Sequence, residues 1–95
     1  MQMHNLQRIV GTWRLIDGDN DVYFTTYTFN ANGTFSASGR RGNSSGSYFI
    51  NGTKLIYKSE NDSLARIIEC YIAPNGRFLV LDQGGFGYRY WYEKQ

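Results

Sequence analysis

The sequence has little of the residues on which most enzyme chemistry depends, with one cysteine and one histidine among 95 residues. His4 stands near the amino terminus and Cys70 lies far along the chain, so neither a nucleophile with its base nor a set of metal ligands can be assembled from them. We therefore predict a protein that is not an enzyme and holds no cofactor and no metal ion. A lone thiol is typical of a reducing compartment, so we expect the cytoplasm.

Long apolar runs are also missing. The opening stretch, MQMHNLQRIVG, lacks the apolar core of a signal peptide, although a leader that has been removed stays an open alternative. No stretch approaches the roughly 20 apolar residues that a membrane span needs. Ten basic and eight acidic residues nearly balance, and the one dense basic spot is Arg40-Arg41. This charge pattern does not suggest a nucleic-acid-binding protein.

Proline is scarce as well, at one residue, whereas the chain has eleven glycines, two tryptophans, eight tyrosines and six phenylalanines. Aromatic residues favour strands and glycine favours turns, so this composition predicts an all-β protein. A chain of 95 residues has room for one small core. We therefore predict a single domain over residues 1–95.

Three Asn-Gly pairs, Asn32-Gly33, Asn51-Gly52 and Asn75-Gly76, each separate two runs rich in aromatic and β-branched residues. Asn-Gly is the preferred pair for a type I′ turn, in which both central residues take positive φ. Each pair therefore predicts a hairpin with a type I′ turn. With one further strand at each end of the chain, we expect eight strands, at residues 10–16, 22–30, 34–38, 47–50, 54–58, 65–73, 77–81 and 87–93.

Polar, turn-forming clusters connect these strands and predict an antiparallel meander. One of them, GRRGNSSG at residues 39–46, is predicted to be a mobile loop that brings Arg40 and Arg41 near a barrel mouth as candidate contacts for an anion. Eight strands can close into a barrel whose interior is filled by side chains or holds one small ligand. We expect an up-and-down barrel of this kind, with Met3 to Arg8 as a short helical turn across one end.

Alternation along the strands assigns one face to the interior. The sixth strand is apolar on both sides, so its periodicity leaves open whether Ile67 and Tyr71 or Ile68 and Cys70 face inward. A strand covered on both faces, together with Trp91 in the last strand, predicts a homodimer contact. The predicted interior set is Trp13, Leu15, Tyr27, Phe29, Phe35, Ala37, Tyr48, Ile50, Leu55 and Tyr57.

Several short motifs follow one another along the chain. Gly11-Thr12-Trp13 opens the first strand, YTFNANGTF and GSYFINGTKLIY occupy residues 27–35 and 46–57, and GYRYWYEK brings an arginine into the last strand. Together, from Gly11 to about Lys94, these motifs resemble the small lipocalin-like barrels of the calycin group, especially the compact bacterial lipocalin-like domains. The resemblance implies a closed eight-stranded barrel that binds a small molecule.

Two properties of the calycin group bear on particular residues. In lipocalins the tryptophan of Gly-x-Trp lies at the closed end of the barrel under an arginine of the last strand, which implies that Arg89 stacks on Trp13 as a structural latch. Fatty-acid-binding proteins of the same group hold a carboxylate with an Arg-x-Tyr pair. Here Tyr90 stands where that arginine would be, and Arg89 is one residue away. One residue reverses the face of a strand, so a carboxylate clamp is not expected.

The tyrosines admit two interpretations. Phenols inside a barrel orient an amphipathic guest, or they pack against one another without a ligand. We predict non-enzymatic binding of a small apolar or amphipathic molecule inside the barrel, and the alternative is a ligand-free structural or protein-interaction module with a filled aromatic core. The residues predicted to contact the ligand are Tyr27, Phe29, Phe35, Tyr48, Tyr57, Tyr88 and Tyr90.

Overall fold

The structure is a computed structural model that describes residues 8–18, 24–40, 42–82 and 89–95. Within these residues the chain forms eight strands, which confirms the all-β prediction. The strands are β1 (Gly11–Asp17), β2 (Thr26–Phe29), β3 (Thr34–Gly39), β4 (Gly42–Asn51), β5 (Lys54–Ser59), β6 (Arg66–Ile72), β7 (Phe78–Asp82) and β8 (Arg89–Lys94).

The sheet is closed. Each strand pairs antiparallel with the next strand along the chain, and β8 pairs back with β1. The predicted up-and-down barrel is therefore confirmed. The pairing of β1 with β8 contains an irregularity between Leu15 and Asp17. Closure leaves no unpaired sheet edge at either of these strands.

Buried and exposed residues alternate because successive side chains of a strand point to opposite faces. In β3, Phe35 and Ala37 are buried, whereas the residues between and on either side of them are exposed or half-buried. The predicted interior set lies inside the barrel, with Leu15 and Tyr57 only half-buried. The other buried residues of the core are Ile9, Cys70, Ile72, Leu79, Leu81 and Tyr92.

The facing of β6, which periodicity left open, is decided by its exposure. Cys70 and Ile72 are buried and Ile68 is half-buried, so these side chains form the inner face. Ile67 and Tyr71 are 64% and 56% exposed and face outward. The strand is therefore apolar on a face that the barrel itself does not cover.

The three Asn-Gly hairpins are present, but their turns are not of type I′. Among the described residues only glycines take positive φ, so the asparagine of each pair does not. Gly33 and Gly76 each donate a backbone hydrogen bond to the residue three positions earlier, Asn30 and Ala73. Gly52 is the first central residue of a two-residue loop, the position of positive φ in a type II′ turn. The type I′ prediction is wrong because in these loops the glycine alone supplies the positive φ.

The prediction of a mobile loop at residues 39–46 is also wrong for most of that range. β3 and β4 pair as far as Gly39 opposite Gly42, so residues 42–46 belong to β4. The hydroxyl of Ser44 donates to that of Ser59 at 2.8 Å and joins β4 to β5. A run of small polar residues resembles a loop in sequence. Here the two neighbouring strands form hydrogen bonds with the backbone groups of that run.

Some predictions fall outside the described residues, namely Met3 to Gln7, Arg41 and Tyr88. Of the predicted helical turn only Arg8 is described, and it is helical. In the described part of the chain, no helix has the length and apolar character that crossing a membrane requires.

Candidate functional site

One end of the barrel is closed around Trp13, and we call it the Trp13 end. The Trp13 side chain is fully buried, and its indole N–H donates to the carbonyl oxygen of Ile9 at 2.8 Å. The Arg8 guanidinium donates to the carbonyl oxygen of Ala73, which fastens the start of the described chain to the β6–β7 turn. The Trp13 indole N–H and the Arg8 guanidinium therefore both bind backbone carbonyls of the protein.

The cation at Trp13 is Lys94 and not Arg89, which corrects the predicted latch. The Lys94 ammonium lies 5.4 Å from the centroid of the Trp13 ring. Lys94 is opposite Trp13 in the pairing of β8 with β1, whereas Arg89 is opposite Asp82 on β7 and forms an ion pair with it. Tyr92 is buried and Tyr90 half-buried, so even-numbered residues of β8 face inward. Arg89 has the opposite parity and therefore faces outward.

Aromatic rings fill the middle of the barrel. The Phe29 ring lies 5.6 Å from the ring of Tyr27, 5.0 Å from that of Tyr48 and 6.3 Å from that of Phe35, between centroids. The Tyr48 hydroxyl donates to the carbonyl oxygen of Asn30 at 2.8 Å. Phe29 thus packs against both Phe35 and Tyr48, and the Tyr48 hydroxyl also binds the protein backbone.

Inward side chains become more exposed toward the opposite end, where odd-numbered strands finish and even-numbered strands begin. On β5, Leu55 is buried but Tyr57 is half-buried, and on β8 Tyr92 is buried but Tyr90 is half-buried. β1, β4 and β6 show the same gradient. Apolar side chains that are half-buried against the core here are Leu15, Phe24, Tyr57, Ile68 and Tyr90.

Four phenols interact electrostatically at this second end, which we call the phenol end. They belong to Tyr27, Tyr57, Tyr90 and Tyr92. The Tyr92 hydroxyl donates to the carbonyl oxygen of Phe24 at 2.9 Å. The Tyr27 side chain is only 7% exposed, yet its hydroxyl, like that of Tyr57, has no hydrogen-bond partner among the described residues. No fully buried oxygen or nitrogen in the described side chains lacks a partner, so the Tyr27 hydroxyl is not fully sealed.

Burial favours the protonated form of the Tyr27, Tyr57 and Tyr92 phenols. It raises the pKa of Tyr27 well above the usual value of 10.0, and the neighbouring phenols of Tyr92 and Tyr57 raise it further. Burial also raises the pKa of Tyr57 and of Tyr92. A neutral phenol donates and accepts a hydrogen bond, so the phenol end presents hydrogen-bonding groups without charge.

An ion pair between Asp62 and Arg66 lies beside the phenol cluster. Arg66 is opposite Tyr57 in the pairing of β5 with β6, and its Nε atom lies 3.3 Å from Oδ2 of Asp62. The Tyr57 pKa is raised chiefly by burial, and the Arg66 charge lowers it while the Asp62 charge raises it. Both charges therefore act on the same phenol.

The seven predicted ligand contacts divide between two places. Tyr27, Tyr57 and Tyr90 come together at the phenol end, whereas Phe29, Phe35 and Tyr48 lie deeper, among the packed rings. Tyr88 is outside the described residues. The prediction missed Tyr92, although its spacing of two from Tyr90 is the signal that places both on one face. The Asp62–Arg66 pair was missed too, and its signal is opposite charges four residues apart.

Described residues line two concavities on the outer surface. Hydroxyl-bearing residues of β2, β3 and β4, with Glu60 and Asn61, line one of about 350 Å³. Another of about 360 Å³ runs across β6, β7 and β8, where Tyr71, Val80 and Trp91 are neighbours in register. Both are open on the outside of the barrel.

Comparison of the chain with family models, with curated proteins and with solved structures finds no match. In the described part of the chain no three His, Cys, Asp or Glu side chains are grouped so as to hold a metal ion.

Proposed function

We propose that this protein binds a small apolar or amphipathic molecule at the phenol end of the barrel, without chemical conversion. The observation that carries the proposal is Tyr27, whose side chain is only 7% exposed and whose hydroxyl has no hydrogen-bond partner among the described residues. A buried polar group usually has a partner because leaving it unpaired costs free energy. A bound molecule that offers an oxygen or nitrogen to Tyr27 removes that cost.

The surrounding wall supports the same proposal. Leu15, Phe24, Ile68 and the rings of Tyr57 and Tyr90 are packed against the core but remain half-buried. A guest at this end covers these apolar surfaces, and phenol hydroxyls fix its orientation, which is the usual composition of a small-molecule site. The guest is proposed to contact Tyr27, Tyr57 and Tyr90 and to rest above Phe29, Phe35 and Tyr48.

Membership of the lipocalin-like group is part of the proposal. A closed eight-stranded antiparallel barrel is consistent with it, and so is the buried Trp13 of the Gly-x-Trp motif. In this view the Trp13 end is the closed end of the barrel and the phenol end is its ligand-binding end.

Binding of a neutral fluorescent probe such as Nile red, followed by titration, tests the proposed function. We expect one probe per chain and competition by molecules captured from a metabolite extract in native mass spectrometry. Failure of the probe to bind, together with no retained molecule, would leave a barrel without a ligand as the better account.

We propose as a second candidate that the outer apolar face mediates homodimerisation. This face consists of Phe49, Ile56, Ile67, Tyr71, Val80 and Trp91, in two rows that follow the cross-strand register of β4 to β8. Between the rows, Lys54 pairs with Glu69 and Arg89 pairs with Asp82. Since these charges are neutralised within one chain, two copies can meet here without strong like-charge repulsion.

A further inference from the structure

The phenol end combines uncharged inner walls with the Asp62–Arg66 ion pair at its rim. The inner wall is made of aliphatic side chains and of phenols, and burial holds the phenols in their neutral form. An anion bound against such a wall loses hydration without gaining a cationic partner, which is unfavourable by far more than the loss of one neutral hydrogen bond. A neutral molecule with one carbonyl, ether or hydroxyl oxygen meets no such cost.

Of the arginines that the structure describes, two near the phenol end have a carboxylate partner. Arg89 faces outward on β8 and pairs with Asp82. Arg66 stands beside Tyr57 at the rim, but the Asp62 carboxylate lies 3.3 Å from its Nε atom. The Arg66 and Asp62 charges thus act on a ligand at Tyr57 as a pair with no net charge.

We infer that the phenol end takes an uncharged ligand bearing a hydrogen-bonding oxygen, and that Asp62 sets this preference by neutralising Arg66. The inference rests on the proposed function and names the class of ligand for that site. Asp62 acts on the ligand through Arg66, so it is a positioning and specificity residue and not a direct contact.

The test compares two probes that differ only in charge, 11-(dansylamino)undecanoic acid and its methyl ester, titrated at pH 7.5 against the full chain. We expect the ester to bind at least about tenfold more tightly than the carboxylate, because the carboxylate must leave water without a partner. Equal affinity for the two probes overturns the inference and leaves the proposed function standing. Binding of neither probe overturns the proposed function, and the inference with it.

Two matched variants test the role of Asp62. Asp62→Asn releases Arg66, and it should strengthen binding of the carboxylate probe by about threefold, the size of effect expected of a rim charge, while ester binding is unchanged. Asp82→Asn makes the same change in net charge by releasing Arg89 on the outer face, and should change neither affinity. If the two variants strengthen carboxylate binding equally, the effect is one of net charge and the role of Asp62 is rejected.

Discussion

Lys94 lies over Trp13, with its ammonium 5.4 Å from the centroid of the indole ring. The arrangement depends on Gly11, two residues before the tryptophan. A Cβ atom at Gly11 would lie 2.8 Å from Cε of Lys94, and Gly11 also has a φ of +137°. The Gly-x-Trp motif therefore supplies both the ring and the space through which the lysine side chain crosses it.

Replacing Lys94 with methionine should destabilise the protein by about 1 kcal/mol, because the aliphatic stem is kept while the cation over the ring is lost. Urea unfolding followed by tryptophan fluorescence measures the change. Arg89→Met removes a cation from the same strand without touching Trp13 and should cost less. A larger loss of stability in Arg89→Met would contradict the assignment of Lys94 as the residue over Trp13.

Gly46→Ala should destabilise the barrel by roughly 1–3 kcal/mol or more, since added volume in a closely packed place forces the backbone apart. A Cβ atom at this position would lie 2.0 Å from the carbonyl oxygen of Lys58, which is backbone and cannot rotate away. Ser47→Ala, at the next and exposed position, is the control and should be nearly neutral. Similar unfolding free energies for both variants would show that β4 and β5 do not approach each other in this way.

The overall architecture was predictable because its signals are local and repeated. Three Asn-Gly pairs mark hairpins, and period-two alternation of aromatic and polar residues marks the inner face of most strands. The turn type was not predictable, because an Asn-Gly pair serves both two-residue and longer loops. The inner face of β6 was not predictable either, because Ile67 and Ile68 are both apolar. Only the packing of the other strands determines which of the two side chains is buried.

The site was predictable only in part. Alternation identified Tyr27 and Tyr57 as inward residues, and Tyr90 was predicted only as a ligand contact. Alternation carries no information on depth along the barrel. For that reason Phe29 and Tyr48, which lie among packed rings, could not be distinguished from them. Which cation lies over Trp13 depends on the register of β8 against β1. The resemblance of the last strand to that of lipocalins does not specify this register.

The free energy of unfolding should fall as the pH rises above about 9. Burial raises the pKa of Cys70 from 9.0 to about 11, and it also raises the pKa values of Tyr27 and Tyr57. These groups lose their protons more easily in the unfolded chain, so their contribution is complete below the unfolded pKa and is lost as the pH passes the folded one. The slope is limited to about 1.4 kcal/mol per pH unit for each group.

Urea unfolding at intervals from pH 7 to pH 11 measures this dependence. Cys70→Ala should reduce the slope between pH 9 and 10, where the thiol of the unfolded chain ionises first. Stability that stays constant or rises through this range would contradict the burial of these groups.

The outer apolar face predicts a dimer in solution. One chain has a mass of 10.9 kDa, and light scattering at high micromolar concentration should give about twice that mass. Ile67→Glu should yield the monomer, because it places a charge in the centre of the contact. Ser36→Glu adds the same charge on a different outer face and should leave the dimer intact. A monomeric wild-type protein at that concentration would reject the second candidate.

The most direct test of ligand binding at the phenol end compares two variants that each lose one hydroxyl group. Tyr27→Phe removes the hydroxyl that has no partner among the described residues, and Tyr48→Phe removes one that binds the Asn30 carbonyl near the Trp13 end. We expect Tyr27→Phe to weaken binding of the dansyl methyl ester by about threefold to tenfold, the worth of one hydrogen bond, at little cost in stability. Tyr48→Phe should lower stability and leave that affinity within about twofold. Unchanged affinity in Tyr27→Phe, or a loss as large in Tyr48→Phe, would contradict the assignment of the site to the phenol end.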